Sequence, residues 1–256
     1  MLEVIGLTKR YSGIPAVEDV SFRIRRGQIL GYLGANGSGK STTVKMLTGL
    51  LEPSAGHIIF DGVTVLPCSD PLFMSKIGYV PEEPHLYPHL TGAQYLRLVG
   101  RLHGIERRTL EAKIHAFMEL LSLDSSRHEL LLNYSKGMRQ KILLCAALMH
   151  NPEVLILDEP FSGLDVGAAL VLRNLLQALA RAGKAILYSS HVLEVVEKVC
   201  SEVVILYQGR MVAYDTVERL RELQASRSLE GVFAQLALPE DVSAIADRMV
   251  AVMNAA

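Results

Sequence analysis

A short glycine-rich segment limits the fold of this chain more than any other feature. Residues 34–41 read GANGSGKS and fit the pattern GxxxxGK[ST]. A short apolar strand is predicted over residues 29–33 and a helix over residues 40–50. Between a strand and a helix, such glycines let the backbone curl so that successive N–H groups point inward, and the helix N-terminus adds positive potential. The segment therefore predicts an α/β fold with a phosphate-binding loop.

The residue types in this loop match the chemistry of MgATP. The Lys40 ammonium would reach the β- and γ-phosphates, and the Ser41 hydroxyl would ligate Mg²⁺. A glycine-rich turn with an incidental lysine is the alternative, and the strand–loop–helix context argues against it. The residues expected to hold the nucleotide here are Gly34, Ala35, Asn36, Gly37, Ser38, Gly39, Lys40, Ser41 and Thr42.

A second segment, VLILDEP at residues 154–160, ends an apolar strand in two carboxylates. Buried carboxylates need a compensating cation, and Mg²⁺ supplies one. Asp158 would hold the metal, and Glu159 would polarise the water that attacks the γ-phosphate. Taken alone, such a strand often runs into an exposed turn. Behind a phosphate-binding loop, the catalytic interpretation is favoured.

The remaining periodicity predicts two kinds of sheet and a helical segment. Residues 2–28 alternate polar and apolar with turns between them, and residues 56–65 read as a hairpin, so an antiparallel sheet is expected. Residues 90–150 are helical in pattern, including a helix with Ser135 as its N-cap. After residue 154, strands alternate with helices, which is typical of a parallel sheet with covered faces.

Further motifs, in the family's order, make the sequence resemble the ABC ATPases over about residues 1–220. NYSKGMRQ at residues 133–140 resembles the signature motif, and SGLD at residues 162–165 resembles the D-loop. His191, after the strand AILYSS, resembles the switch histidine, and Tyr11 resembles the aromatic residue that stacks on adenine. Each motif alone is weak, but six of them in order leave little room for a purely structural interpretation.

The resemblance implies a P-loop NTPase core with an N-terminal antiparallel β subdomain and an inserted α-helical subdomain at about residues 85–150. The ATPase domain would span residues 1–224, and residues 225–256 would form a C-terminal helical extension. Glu159, His191 and Lys40 would be catalytic. ATP and Mg²⁺ would be the cofactors.

The resemblance also implies two kinds of partner. Members of the family form head-to-tail dimers in which the signature motif of one subunit contacts the γ-phosphate held by the other. Ser135 would offer a hydroxyl, Gly137 a backbone N–H, and Asp165 of the D-loop would join the same nucleotide site. A transmembrane permease would use the motion of the dimer, and its groove is expected around residues 85–90.

Two segments point toward the relatives that pair with ABC-2-type export permeases. YSKGMRQK resembles the signature region of that group, and SLEGVF at residues 228–233 resembles its SLEEVF-like segment. An ordinary amphipathic helix capped by Ser228 is the alternative for the second segment. Export is therefore the expected direction of transport.

The clearest departure from the family lies at residue 82. A glutamine usually follows the strand and proline there, but this chain reads Val80-Pro81-Glu82. A carboxylate can ligate Mg²⁺ at least as well as an amide, so Glu82 joins Ser41 and Asp158 as an expected metal ligand. It also brings negative charge near the phosphates. The alternative is that Glu82 points into solvent.

Charge and hydropathy limit the remaining function classes. The net charge is −1, from 26 basic and 27 acidic residues, which gives no general attraction for nucleic acid. No segment is apolar over the roughly 20 residues needed to span a bilayer, so a cytoplasmic protein bound peripherally to the membrane is expected. A soluble ABC ATPase acting on ribosomes or DNA, an ATP-binding protein without hydrolysis and a P-loop kinase remain as competing hypotheses.

Overall fold

The computed structural model describes residues 1–223, 228–237 and 248–253 of the 256-residue chain. Its backbone contains two β-sheets and a group of helices inserted between strands of the larger sheet. The predicted mixed α/β fold with an antiparallel N-terminal sheet is confirmed. Among the helices described, none combines the length and apolar character needed to cross a bilayer.

The smaller sheet is antiparallel, with the strand order β2-β1-β4-β5. Alternate side chains of β1, such as Leu2 and Val4, are buried, as expected when one face of a sheet packs on a core and the other faces solvent. The tight turn at Asp61 and Gly62, both at positive φ, joins β4 to β5 as predicted. The strands are β1, Leu2–Tyr11; β2, Ile14–Ile24; β4, Ala55–Phe60; and β5, Val63–Val65.

The larger sheet has the strand order β10-β9-β3-β8-β7-β6 and is parallel except for the β9–β10 pair. Its central strands are completely buried, which fits their unbroken apolar sequences. The pattern predicted β3, β7, β8 and β9 but not the antiparallel edge strand β10. The strands are β3, Ile29–Gly34; β6, Ile77–Val80; β7, Val154–Asp158; β8, Ala185–Ser190; β9, Glu202–Tyr207; and β10, Arg210–Thr216.

The helices follow the predicted order with shifted ends. The first was expected to reach about residue 50, but it ends at Leu47 because Thr48 leaves the helical conformation and Gly49 takes a positive φ of 69°. The helices are α1, Lys40–Leu47; α2, Pro71–Met74; α3, Gly92–Leu102; α4, Arg107–Leu120; α5, Lys136–Leu148; α6, Val166–Arg181; α7, Leu193–Val199; α8, Val217–Leu223; and α9, Leu229–Ala237.

The large sheet separates two apolar cores, and the inserted helices enclose a third. One core lies between the two sheets and includes α1, and the other lies under α6, α7 and α9. Helices α3, α4 and α5 pack around Leu96, Ile114 and Ile142, which belong to the third core. These three helices fall inside the segment predicted to be a helical subdomain, although its boundaries at about 85 and 150 stay a prediction.

The predicted C-terminal extension is described only in part. Helix α9 packs Leu229 and Val232 into the core under α7, and residues 248–253 are helical. The Ser228 hydroxyl accepts a hydrogen bond from the Gly231 N–H at 3.2 Å, as expected for a helix cap. The predicted boundary at residue 224 lies outside the described residues, as do residues 225–227, 238–247 and 254–256 of the extension.

Candidate functional site

Three neighbouring strands carry the sequence motifs to one edge of the large sheet. Strand β3 leads into the glycine-rich loop, β7 ends at Asp158, and β8 ends just before His191. These strands are parallel and adjacent in the order β3-β8-β7. Their carboxyl ends therefore meet, which is where ligands bind in open α/β sheets.

The glycine-rich loop needs its glycines for two separate reasons. Gly39 has a φ of 104°, a conformation that L-residues rarely adopt, and a Cβ there would lie 2.7 Å from the carbonyl oxygen of Ala16. A Cβ on Gly34 would lie 2.1 Å from the Ser38 hydroxyl oxygen. Helix α1 starts directly after Gly39 without a side-chain cap, so the loop presents uncapped backbone N–H groups at the helix N-terminus.

Lys40 is buried beneath this loop. Its ammonium donates hydrogen bonds to the carbonyl oxygens of Gly34 at 2.6 Å and Ala35 at 3.2 Å. Burial lowers the pKa of Lys40, while the nearby carboxylates of Glu159, Asp158 and Glu82 oppose that shift. The cation is therefore held among acidic groups, in reach of anything bound in the loop.

The loop is also fixed from behind by the turn between β9 and β10. The Gly209 N–H donates to the carbonyl oxygen of Ser38 at 3.0 Å, and the Gly209 carbonyl accepts from the Glu18 N–H at 2.8 Å. On the helical side, the buried Tyr32 hydroxyl donates to the Thr43 hydroxyl at 3.0 Å. These bonds link the loop to both sheets.

Both carboxylates after β7 are buried. Asp158 is 4% exposed and Glu159 7% exposed. One carboxylate oxygen of Asp158, Oδ1, has no hydrogen-bond partner in the described part of the chain. Burial raises the pKa of Asp158, and the neighbouring charge of Glu159 adds to that shift. A buried carboxylate with an orphan oxygen is the group that a divalent cation would satisfy.

The backbone and the carboxylate of Glu159 are both held by contacts with neighbouring residues. Its backbone has a φ of 48°, in the left-handed region, which costs of order 1–3 kcal/mol for a non-glycine residue. Its N–H donates to the Ser189 carbonyl at 3.0 Å, and its Oε2 accepts from the Ser190 hydroxyl at 3.2 Å. Its Oε1 lies 2.6 Å from Nδ1 of His191. The contacts from β8 therefore fix the direction of this carboxylate.

A cavity of about 190 Å³ joins the loop to the carboxylates. Glu82 is one of the lining residues, and its side chain is exposed to solvent. The volume suits a phosphate chain with its metal rather than a whole nucleotide. The lining consists of Ala16, Asn36, Gly37, Gly39, Lys40, Ser41, Thr42, Glu82, Asp158 and Glu159.

Other residues predicted for the site lie outside this lining. Tyr11 is 48% exposed at the end of β1, beside the Lys9 ammonium at 5.7 Å from its ring centroid. His191 reaches the site through its hydrogen bond to Glu159. Ser135, Gly137 and Asp165 belong to a separate part of the surface, at the starts of α5 and α6. One copy of the chain therefore does not bring all the predicted residues together.

The donor set fits a magnesium ion that completes its coordination with phosphate oxygens. Across residues 1–223, 228–237 and 248–253, no group of three or more His, Cys, Asp or Glu side chains is placed to hold a metal. Mg²⁺ in nucleotide sites takes one or two protein ligands together with phosphates and waters. Ser41 and Asp158 in one cavity are consistent with that arrangement.

The signature segment and the D-loop pack against each other. Ser135 caps α5, where its hydroxyl accepts from the Met138 N–H at 3.2 Å. Lys136 donates to the Ser162 hydroxyl at 2.8 Å. A Cβ on Gly137 would lie 2.8 Å from the carbonyl oxygen of Gly163, so only glycine fits there. Asp165 caps α6 by accepting the Ala168 N–H at 2.8 Å.

A groove lies directly after Glu82, where the sequence predicted a partner-binding surface. It has a volume of about 360 Å³ and runs between residues 83–88 and the segment before α5. Tyr87 and Leu132 are exposed by 63% and 61% beside it. Its lining consists of Glu83, Pro84, His85, Leu86, Pro88, Leu131, Leu132, Lys136 and Arg139.

Sequence reasoning missed several groups at this site. The left-handed backbone of Glu159 has no sequence signal, since glutamate does not favour it. Ala16 is distant in sequence, and its contact with the loop depends on the packing of β2. Ser190 precedes the predicted His191 directly, and a hydroxyl beside a candidate active-site histidine is a signal that could have identified it.

The chain is similar to known proteins in both sequence and structure. A family model described as "ABC transporter" matches residues 17–162. The chain is 35% identical over 221 residues to the ABC transporter ATP-binding protein NatA of Bacillus subtilis, across 86% of this chain and 89% of NatA. A solved ATP-binding subunit of an ABC transporter has a TM-score of 0.86 and 34% identity, across 92% of this chain and 99% of that one.

A second solved structure shares the fold at lower identity. It is a dimeric ATP-binding cassette in a post-hydrolysis state, bound to ADP and Pi. Its TM-score is 0.76 at 21% identity, across 84% of this chain and 98% of that one. At 21% identity, this similarity shows a shared fold and nothing more.

Proposed function

Because this chain belongs to the ABC transporter family, as one of its ATP-binding proteins, we propose that it binds MgATP in the cavity at the end of β3 and hydrolyses it to power a membrane permease. The observation that carries this proposal is the convergence of Lys40, Asp158 and a fixed Glu159 on one cavity. Phosphate-binding, metal-binding and water-activating groups are all present there.

The phosphates would lie in the loop with their charge met by Lys40 and by the start of α1. Loop N–H groups point toward bound phosphate oxygens in sites of this type, and the helix N-terminus adds positive potential. The cavity of about 190 Å³ would hold the phosphates, and the adenosine would extend out of it toward the end of β1. Tyr11, at 48% exposure, offers its ring there for stacking on adenine.

Magnesium, when bound, would neutralise charge on the β- and γ-phosphates. Ser41 and Asp158 would hold it, the latter through its orphan carboxylate oxygen, directly or through water. Glu82 lines the same cavity and would supply a further carboxylate as a ligand.

Glu159 would orient and polarise the attacking water. Its carboxylate is nearly buried and is held by His191 at Oε1 and by Ser190 at Oε2. A carboxylate fixed in this way has its free lone pairs aimed in one direction, so it can position a water molecule beside a phosphate in the loop. His191 would in turn hold the carboxylate and sense the γ-phosphate.

Hydrolysis would require a second copy of the chain. Ser135 and Gly137 lie outside the cavity lining, at an exposed helix N-terminus that favours anions. In a head-to-tail pair, this terminus and Asp165 of one copy would close over the γ-phosphate held by the other. Opening and closing of that pair would be the mechanical output.

The permease would dock in the groove defined by residues 83–88 and the segment before α5. The groove begins directly after Glu82, so movement of a bound partner would act on a residue that lines the nucleotide cavity. Exposed Tyr87 and Leu132 provide apolar contact area for such a partner. The chain would then act at the cytoplasmic face of the membrane, and the resemblance at SLEGVF favours export.

Replacing Glu159 tests the ATPase proposal. Glu159→Gln keeps the shape but removes the charge that activates water, so steady-state phosphate release should fall by about 10²–10⁴-fold while MgATP still binds. With slow turnover, the closed dimer should accumulate and be seen by gel filtration with light scattering in ATP. Glu153→Gln, just before the opposite end of β7 and in a surface ion pair with Lys76, is the matched control. Wild-type turnover in Glu159→Gln would refute the assignment.

Replacing Tyr87 tests the permease proposal. Tyr87→Glu puts a charge beside the groove. In cell fractionation, the ratio of membrane-bound to supernatant protein should fall tenfold or more. ATP affinity should stay unchanged. Leu102 is an exposed apolar residue at the end of α3, away from the groove lining. Leu102→Glu should therefore leave the amount of membrane-bound protein unchanged. Sedimentation of the wild-type chain with ribosomes or DNA instead would favour the soluble alternative.

A further inference from the structure

A second cavity lies between the inserted helices and the core, and its lining shares no residue with the nucleotide cavity. Its walls come from the end of α4, the middle of α5, the start of α6 and the last residue of β6. Its volume is about 350 Å³, within the range of small-molecule sites. The side chains of Val80, Leu144, Leu164 and Leu172 make most of the surface apolar.

One buried polar side chain lines this apolar cavity. Gln140 is only 2% exposed, and neither its carboxamide nitrogen nor its carboxamide oxygen has a hydrogen-bond partner in the described part of the chain. Leaving a buried donor and a buried acceptor unmet costs free energy, so such groups usually have a partner. The carboxamide places an N–H donor and an acceptor oxygen side by side, and its nitrogen carries a second N–H.

The charged groups at the cavity are already engaged with the protein. The Lys141 ammonium donates to the carbonyl oxygen of Leu121 at 3.1 Å. The Asp165 carboxylate accepts the Ala168 N–H at the start of α6. One positive and one negative side chain line the cavity together, so the cavity has no net charge to attract an ion.

We propose that this cavity binds a neutral, flat, largely apolar molecule whose single cis-amide pairs with the Gln140 carboxamide. The amide N–H of the ligand would donate to the Gln140 oxygen, and its carbonyl would accept from the Gln140 nitrogen. Two fused rings would lie against the apolar walls. Such a ligand would also bridge the inserted helices and α6.

Water is the competing occupant of the cavity. A buried water needs two to four polar partners, and within the mainly apolar walls the free polar atoms of Gln140 are one nitrogen and one oxygen of a single side chain. A cyclic amide meets both atoms of the carboxamide at once and removes apolar surface from water in the same step. The wall chemistry therefore favours the cyclic amide over water.

The probe for this site is 2-quinolinone, a bicyclic cis-lactam, used on the full-length chain without nucleotide. Saturation-transfer NMR should detect binding, and calorimetric titration should give the affinity. N-Methyl-2-quinolinone keeps the rings and carbonyl but lacks the N–H donor. It should bind about tenfold more weakly or worse, because the Gln140 oxygen is again unmet.

Variants separate this site from nonspecific adsorption. Gln140→Met keeps the side-chain length without its polar atoms, and Val171→Trp blocks the cavity from a half-exposed position on α6. Both variants should bind 2-quinolinone about tenfold more weakly than wild type, or worse. Gln177→Met, on the same helix outside the lining, should bind like wild type. Equal binding of the two quinolinones, undiminished binding in both cavity variants, or no binding to wild type would overturn the proposal.

Discussion

At the scale of single residues, Glu159 shows what packing adds to a motif. Its left-handed backbone is unfavourable for glutamate, yet the Ser189 carbonyl, the Ser190 hydroxyl and the His191 ring hold it in place. Strain of this kind persists only where the surroundings over-determine the conformation, and it clusters at functional sites. The sequence predicted the carboxylate and the histidine but not this strained geometry, because backbone strain arises from long-range packing.

Glu82 is the residue whose role is most open to measurement. It lines the cavity with Lys40 and Asp158 but is exposed, so its interactions are screened by solvent. At saturating Mg²⁺, Glu82→Gln should bind ATP two- to fivefold more tightly, because it relieves repulsion from the phosphates while Ser41 and Asp158 still hold the ion. At limiting Mg²⁺ the loss of a ligand should reduce this advantage.

An ATP titration across a series of Mg²⁺ concentrations separates these contributions. Glu83→Gln is the matched control, since Glu83 is the next residue but lines the groove instead of the nucleotide cavity. Superimposable curves for wild type and Glu82→Gln would mean that Glu82 has no part in nucleotide binding.

At the scale of elements, helix α5 links the proposed dimer contact to the D-loop. Its cap Ser135 is exposed, and Lys136 bonds to Ser162 next to Gly163. Ser135→Arg should abolish the ATP-dependent dimer, because a bulky cation would occupy the place of the partner's γ-phosphate. ATP binding to the single chain should persist, since Ser135 lies outside the cavity.

The dimer is best measured by light scattering in the Glu159→Gln background. Ser135→Arg also removes a helix cap, which costs about 1 kcal/mol. Thr91→Arg removes the cap of α3 in the same way, and it serves as the control for lost stability. A dimer that forms normally in Ser135→Arg would contradict the proposed composite site.

The elements themselves were largely predictable from sequence, but their neighbours were not. Unbroken apolar runs marked β3, β7 and β8, and the cap at Ser135 marked α5, because burial and capping are local requirements. The strand order depends on contacts between distant residues and left no local signal. The same reason explains why the Lys136–Ser162 bond and the buried Gln140 were not anticipated.

At the scale of the whole molecule, a histidine pair lies where the inserted helices join the sheet. The rings of His103 and His150 stack at 3.8 Å, and Nε2 of His150 lies 3.0 Å from the carbonyl oxygen of Ile77. Burial lowers the pKa of His150 to about 4. The nearby groups His103, Lys113 and Lys184 lower this pKa further, whereas the hydrogen bond to Ile77 opposes the shift. Burial also lowers the pKa of His103.

The sign of the pH effect follows from these shifts. The unfolded chain takes up a proton at His150 near pH 6.5, whereas the folded chain resists until about pH 4, so stability falls as the pH drops through that window. Between pH 7 and pH 5 the loss should be about 1 kcal/mol, because the half-buried ring is partly screened by solvent.

Urea unfolding at pH 7 and pH 5 measures this loss. His150→Gln should show a smaller difference between the two pH values than wild type. His57→Gln, at an exposed position on β4, should keep the wild-type difference. An undiminished pH difference in His150→Gln would exclude the stacked pair as its source.

The central position of β3 has a consequence for how the protein is made. Leu30 pairs with Leu187 on one side and with Glu202 on the other, so the strand that leads into the glycine-rich loop lies between two strands from the last third of the chain. During translation, β8 and β9 can pair with both edges of β3 only after about residue 207 has been synthesised. Until then, β3 is an apolar strand with unpaired edges, which favours aggregation. We therefore expect chaperones to bind the nascent chain mainly before its nucleotide site can form.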